Sequence, residues 1–146
     1  MIAAKRVVIT VLCALAAATA ARAEKHPFVE GPVVNMYAIR TEPGKFDDYM
    51  EFLEKIWKPT QEAAKKFGFI ESYRVIKVEP RGENDPDIYL MVTYKNWAAL
   101  DGTTAKADAV AREVEGSLAE ANKSTAERGK IRRLLGSWTG QQLDLK

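Results

Sequence analysis

The sequence holds one cysteine, Cys13, and one histidine, His26, among its 146 residues. A single cysteine makes no intramolecular disulfide, so covalent cross-links hold no part of the fold together. A single histidine close to the N-terminus leaves Ser72, Ser117, Ser124 and Ser137 without an imidazole in the core, which excludes a Ser-His-acid triad there. The glycine-rich phosphate loop, the G-x-S-x-G elbow, the HExxH pair, a Cys/His cluster and an acidic calcium loop are all missing as well. No metal site and no tightly bound cofactor is expected. Long apolar runs are also scarce. The longest, Val7 to Ala20, has 14 residues, against roughly 20 for a helix that crosses a bilayer.

That short run has a different use. Lys5 and Arg6 precede it, and Ala21-Arg22-Ala23 closes it with small residues at both positions that a signal peptidase reads. Residues 1–23 are therefore expected to be a secretory signal peptide, cleaved between Ala23 and Glu24, with the mature chain secreted or periplasmic. Leu12 before Cys13 does not fit lipoprotein processing. Of the 22 Lys and Arg, Lys5, Arg6 and Arg22 leave with the leader, so 19 remain against all 20 Asp and Glu. The mature chain is thus close to neutral, which argues against the dense positive surface of a nucleic-acid binder. It has no further membrane segment, and its length fits one domain with a sizeable core.

Residues 24–32 contain His26, Pro27, Gly31 and Pro32 and form an extended lead-in to a single domain over 33–146. Val33 to Arg40 is a strand with apolar residues on both faces, a pattern of a sheet covered on both sides. After Thr41-Glu42-Pro43-Gly44, a helical stripe runs through Phe46, Tyr49, Met50, Leu53, Ile56, Trp57, Thr60, Ala63, Ala64 and Phe67. Pro59 lies inside it and predicts a kink between Lys55 and Pro59 rather than a break, because the stripe keeps its phase. Phe69–Val78 and Ile88–Tyr94 are expected to form a hairpin across the turn 79–86. Asn96 then caps a short turn at Trp97–Leu100.

A second long helix places Ala107, Val110, Ala111, Val114, Leu118 and Ala121 on one face. Its end is ambiguous, since Ile131, Leu134, Leu135 and Trp138 keep a helical spacing past Gly129. Trp138–Leu145 is the expected last strand. The order strand, helix, strand, strand, helix, strand is the ferredoxin-like α+β arrangement, with helices on one face of an antiparallel sheet. The opposite face is apolar too, and a second copy of the chain is expected to cover it as a homodimer.

Four stretches carry a family likeness: Glu42-Pro43-Gly44-Lys45-Phe46, Trp57-Lys58-Pro59, Gly68-Phe69-Ile70, and Tyr94-Lys95-Asn96-Trp97-Ala98-Ala99-Leu100-Asp101. On these the chain resembles the dimeric α+β barrel superfamily, which includes antibiotic-biosynthesis monooxygenases, haem-degrading monooxygenases, EthD-like and NIPSNAP proteins. Trp57-Lys58-Pro59 looks most like secreted members. The resemblance implies a ligand cleft between sheet and helices and, for an enzyme, cofactor-independent oxygenation or proton transfer. An oriented tyrosine or arginine would then stabilise an oxyanion.

Two departures bear on this. Monooxygenases of this type often carry a histidine where this chain has Gly102, Thr103 and Thr104. Asn35 and Trp97 match two haem-site positions of the haem-degrading relatives, but no histidine follows His26 to ligate iron. Asp47, Asp48, Glu51 and Glu54 form a solvated helix face. The ligand-binding candidates are Asn35, Tyr37, Trp57, Tyr73, Arg74, Tyr89, Tyr94 and Trp97, facing a small apolar or aromatic molecule. Arg74 would pair with a carboxylate on the ligand or across a dimer. The competing reading is a non-catalytic binding or assembly module, in which these side chains simply pack a filled core or a dimer contact.

Overall fold

The computed structural model describes residues 26–146; the expected signal peptide and its Ala23/Glu24 junction lie outside them. Four strands, β1 (Phe28–Thr41), β2 (Ser72–Lys77), β3 (Ile88–Tyr94) and β4 (Arg132–Leu145), form one sheet in the order β2-β3-β1-β4. Every neighbouring pair is antiparallel. Helices α1 (Phe46–Phe52) and α2 (Lys58–Lys66) connect β1 to β2, and α3 (Thr103–Glu115) and α4 (Leu118–Arg128) connect β3 to β4. This is the ferredoxin-like topology expected from the element order.

Period-two alternation explains which residues meet the helices. Ile39 pairs with Ile88, Tyr37 with Leu90 and Asn35 with Val92, and these share one face. Ile39, Ile88, Leu90 and Val92 form the core there with Tyr49, Leu53, Trp57, Ala63, Ala64, Ile70 and Val110 from the helix side. The opposite face carries Val34, Met36, Ala38, Tyr89, Met91 and Trp138. Gly136 leaves room for the Trp138 ring, which a Cβ there would meet at 3.4 Å. The indole still keeps 55% of its surface exposed, whereas Ala38, paired with Gly136, keeps only 2%.

Five boundaries differ from the sequence expectation, each for a physical reason. β1 starts at Phe28, so the lead-in joins the sheet by pairing with the end of β4. Gly31 and Pro32 sit at a register shift, and the Gln141 amide donates to the Gly31 carbonyl at 3.2 Å. The irregularity before Pro59 takes the form of a π turn, Leu53–Trp57, where the Lys58 N–H reaches back to the Leu53 carbonyl. Thr60 Oγ1 donates to the Ile56 carbonyl at 2.7 Å, one turn back along the helix. β2 begins only at Ser72, after a turn through Gly68 with φ +72.

The second long helix is two helices. Gly116, with φ +78, ends α3, and the Ser117 hydroxyl accepts the Glu120 N–H at 3.2 Å to start α4. The stripe through Leu118 and Ala121 hides this corner. Finally, β4 begins at Arg132, six residues before the expected Trp138. Leu134, which keeps a helical spacing with Ile131 and Trp138, pairs instead with Ile39. As expected, Asn96 Oδ1 accepts the Ala99 N–H at 3.1 Å and caps the turn Trp97–Leu100.

Candidate functional site

Helices and sheet do not close on each other completely. A cavity of about 400 Å³ lies between them, lined by Tyr37 and Ile39 of β1, Tyr49 of α1, Trp57 of the π turn, Leu90, Val92 and Tyr94 of β3, and Arg128, Arg132 and Leu134. Thr60 and Gln61 of α2 complete the wall. These same two residues and Tyr94 also border a smaller apolar space of about 190 Å³ under α3, near Phe69, Ala107 and Val110. The lining of the larger cavity contains neither carboxylate nor imidazole.

At one end, polar groups are fixed by their neighbours. Thr139 Oγ1 of β4 donates to Asn35 Oδ1 at 2.7 Å, which turns the asparagine amide away from β4. That amide bonds the Tyr94 phenol and holds its pKa down, against burial and the adjacent Tyr37, which together keep it raised. Tyr94 therefore stays a neutral hydrogen-bonding group in the wall. Trp57, 9% exposed, meets Tyr73 edge to face with centroids 5.3 Å apart at 87°. Tyr73 in turn donates to the Glu62 carboxylate, and this bond pushes its pKa up to about 12.

At the other end the lining is cationic. Arg128 closes α4 and Arg132 opens β4, one helical turn apart in sequence. Burial, with the neighbouring Arg132 charge adding to it, lowers the pKa of Arg128. Burial raises the Tyr49 phenol, which the two guanidinium charges partly counteract. Arg128 lies over the Phe52 ring, 5.6 Å from its centroid. The Nε of both arginines is buried without a hydrogen-bond partner.

The eight sequence candidates divide by strand parity. Asn35, Tyr37, Tyr73 and Tyr94 occupy the helix-facing side, with Trp57 opposite them, and Tyr37, Trp57 and Tyr94 reach the cavity. Arg74 pairs with Met91 and Tyr89 with Ala38, so both lie on the opposite face, and Arg74 is exposed. Trp97 is 49% exposed, and its indole N–H donates to Gln141 Oε1 at 3.0 Å. The sequence reading missed Tyr49, Arg128 and Arg132. Tyr49 was visible only as one member of the helical stripe. The arginines flank the α4–β4 boundary, which the continuing helical spacing obscures.

Among the described residues, no group of three or more His, Cys, Asp or Glu side chains comes together to hold a metal ion. No helix among them is long and apolar enough to cross a membrane. No protein-family model matches the chain, and no curated protein is similar to it. Two solved structures share its fold. HapK from Hahella chejuensis superposes with a TM-score of 0.51 at 10% identity, over 75% of this chain and 91% of HapK. A dimeric ferredoxin-like protein from an uncultured marine organism gives a TM-score of 0.50 at 14% identity, over 79% of this chain and 97% of the other. At such identities the likeness is one of architecture, and the chain has the α+β ferredoxin-like fold with a four-stranded antiparallel sheet.

Proposed function

We propose that this protein binds a small apolar or aromatic molecule in the cleft between its sheet and helices. The observation that carries this reading is the cavity of about 400 Å³ bounded by Tyr37, Trp57 and Tyr94 over an Ile39, Leu90 and Val92 floor. Ligand sites of roughly 300–1,000 Å³ have this make-up, mostly apolar with a few placed polar groups. A purely structural core would fill such a space, since each void forfeits dispersion contacts. Without a carboxylate or imidazole in the lining, the site is better suited to binding than to proton abstraction. Any chemistry there would rest on stabilising negative charge through tyrosine and arginine donors.

Two further parts complete the proposal. The protein works as a homodimer through the open sheet face, where Met36, Met91, Ile76 and Trp138 leave apolar surface uncovered. The dimeric ferredoxin-like neighbour is consistent with this arrangement. Export by the N-terminal leader delivers the chain from Glu24 onward to the periplasm or the medium.

Thermal-shift screening of the mature protein against phenols, quinones and fatty acids tests the binding reading. A ligand at about one hundred times its Kd adds about 2.7 kcal/mol to stability and raises Tm. No shift across the panel would refute it. Sedimentation at micromolar concentration checks the dimer, and a stable monomer would overturn it. Mass spectrometry of the exported protein should find Glu24 first.

A further inference from the structure

We infer that the molecule bound in the sheet–helix cleft is an amphipathic organic acid whose carboxylate sits between Arg128 and Arg132, with its apolar body directed toward Trp57 and Tyr94. This deepens the binding reading above and depends on it.

The argument begins with charge. A buried guanidinium is normally paired, because desolvating it costs several kcal/mol unless a partner offsets the loss. Part-buried Arg40 meets that condition by donating to the Asp85 carbonyl at 3.3 Å. Arg128 and Arg132 do not. Neither forms an ion pair among the described residues, and each buries an Nε with no acceptor. They also lie close enough for the charge of Arg132 to add to burial in lowering the pKa of Arg128. Glu115, at the end of α3, is near enough to act on Arg128 electrostatically but makes no ion pair with it. The phenols of Tyr37 and Tyr49 line the same cavity and supply hydroxyl groups beside the two cations. Two guanidiniums and phenol donors converging on one cavity make a receptor for a carboxylate.

The second part is direction. Arg132 pairs in register with Thr41, while Tyr94 pairs with Val33 at the far end of β1. At about 3.3 Å per residue these register positions are about 26 Å apart along the strand. The cleft is therefore polarised, cationic at the Arg132 end and aromatic at the Tyr94 end. A ligand with an anionic head at the Arg132 end and an apolar body turned toward the aromatic end matches both characters of the lining. A neutral aromatic satisfies only one.

The test uses matched acids and amides on the mature protein at pH 7: benzoate against benzamide, cinnamate against cinnamamide, 2-naphthoate against 2-naphthamide, and decanoate against decanamide. Calorimetry should show at least one acid binding about tenfold or more tightly than its own amide, the scale of a charge-assisted pair. Arg128→Gln and Arg132→Gln should each remove that preference for acid over amide. Equal affinities for acid and amide in the wild-type protein would overturn the inference while leaving the neutral-ligand reading intact. Failure of every compound to bind would overturn both. A preference that persists in a folded Arg128→Gln/Arg132→Gln double variant, checked by circular dichroism, would also overturn it. The wild-type comparison needs no variant, so misfolding of the substituted proteins leaves the test decisive. The naphthoate and decanoate arms separate aromatic from long-chain acids.

Discussion

Replacing Trp57 with alanine should lower the stability of the domain by about 4 kcal/mol. The residue is the indole that closes the π turn onto the sheet, and only 9% of its surface is exposed. A large aromatic side chain buries about 200 Å², worth about 5 kcal/mol at about 25 cal/mol per Å². Compactness of the unfolded chain removes up to about 40% of that, leaving about 3 kcal/mol. Loss of the edge-to-face contact with Tyr73, at 5.3 Å and 87°, adds about 1 kcal/mol. Urea unfolding followed by far-UV circular dichroism would read the change. With a slope of about 1.5 kcal/mol per molar, the midpoint falls by between about 2 and 3 M. Trp97→Ala is the internal control. Its ring is 49% exposed and held by one hydrogen bond to Gln141, so it should cost under about 1 kcal/mol. If Trp57→Ala proves too unstable to isolate, Trp57→Phe keeps a ring and should lose about half as much. Equal midpoint shifts for Trp57→Ala and Trp97→Ala would refute the claim that Trp57 anchors the helices on the sheet.

Other consequences are as direct. Ser117→Ala removes the acceptor for the Glu120 N–H and should cost about 1 kcal/mol in the same assay, with the loss restored by Ser117→Asp. Gly116→Ala should also cost about 1 kcal/mol, from backbone strain alone, because φ is +78 while nothing lies within 4 Å of the added Cβ. In alkaline titration followed by phenolate absorbance, Tyr73 should ionise near 12, and Glu62→Gln should bring it back toward 10. Because the folded value lies above the unfolded one, the contribution of this bond to stability is whole below pH about 10. It is lost as pH rises from there through about 12.

Much of the architecture is legible in the residue order, because alternation and turn chemistry are local signals. Asn96 announces its cap, and Ile88 to Tyr94 announces a strand. Tyr37 and Tyr94 stand out as ligand-binding candidates among the aromatic strand residues, and both border the cavity. Adjacent positions show where local signals fail. Tyr73 and Arg74 must face opposite ways on a strand, yet nothing local states which one meets the helices; that depends on register with β3. The Ser117 corner carries its own signature, a serine followed three residues later by Glu120, but a continuous apolar stripe masks it. Arg128 and Arg132 come together only because a tight turn at Gly129 to Ile131 folds α4 back into β4. No spacing rule for either element alone contains that turn.

The placement of β1 between β3 and β4 also governs how the chain reaches its native state. Asn35 and Thr139, partners across the β1–β4 seam, are 104 residues apart in sequence. Closing so long a loop is entropically expensive before its contacts form, so this seam should be completed late and set a slow refolding rate. The β1–β3 pairing, which closes a shorter loop, can assemble earlier, but one edge of β1 then stays unpaired until β4 arrives. Such an unfinished edge is a site for mispairing between chains. For a chain proposed to be exported, late completion is also an advantage, since a nascent chain lacking β4 cannot close the finished sheet before translocation.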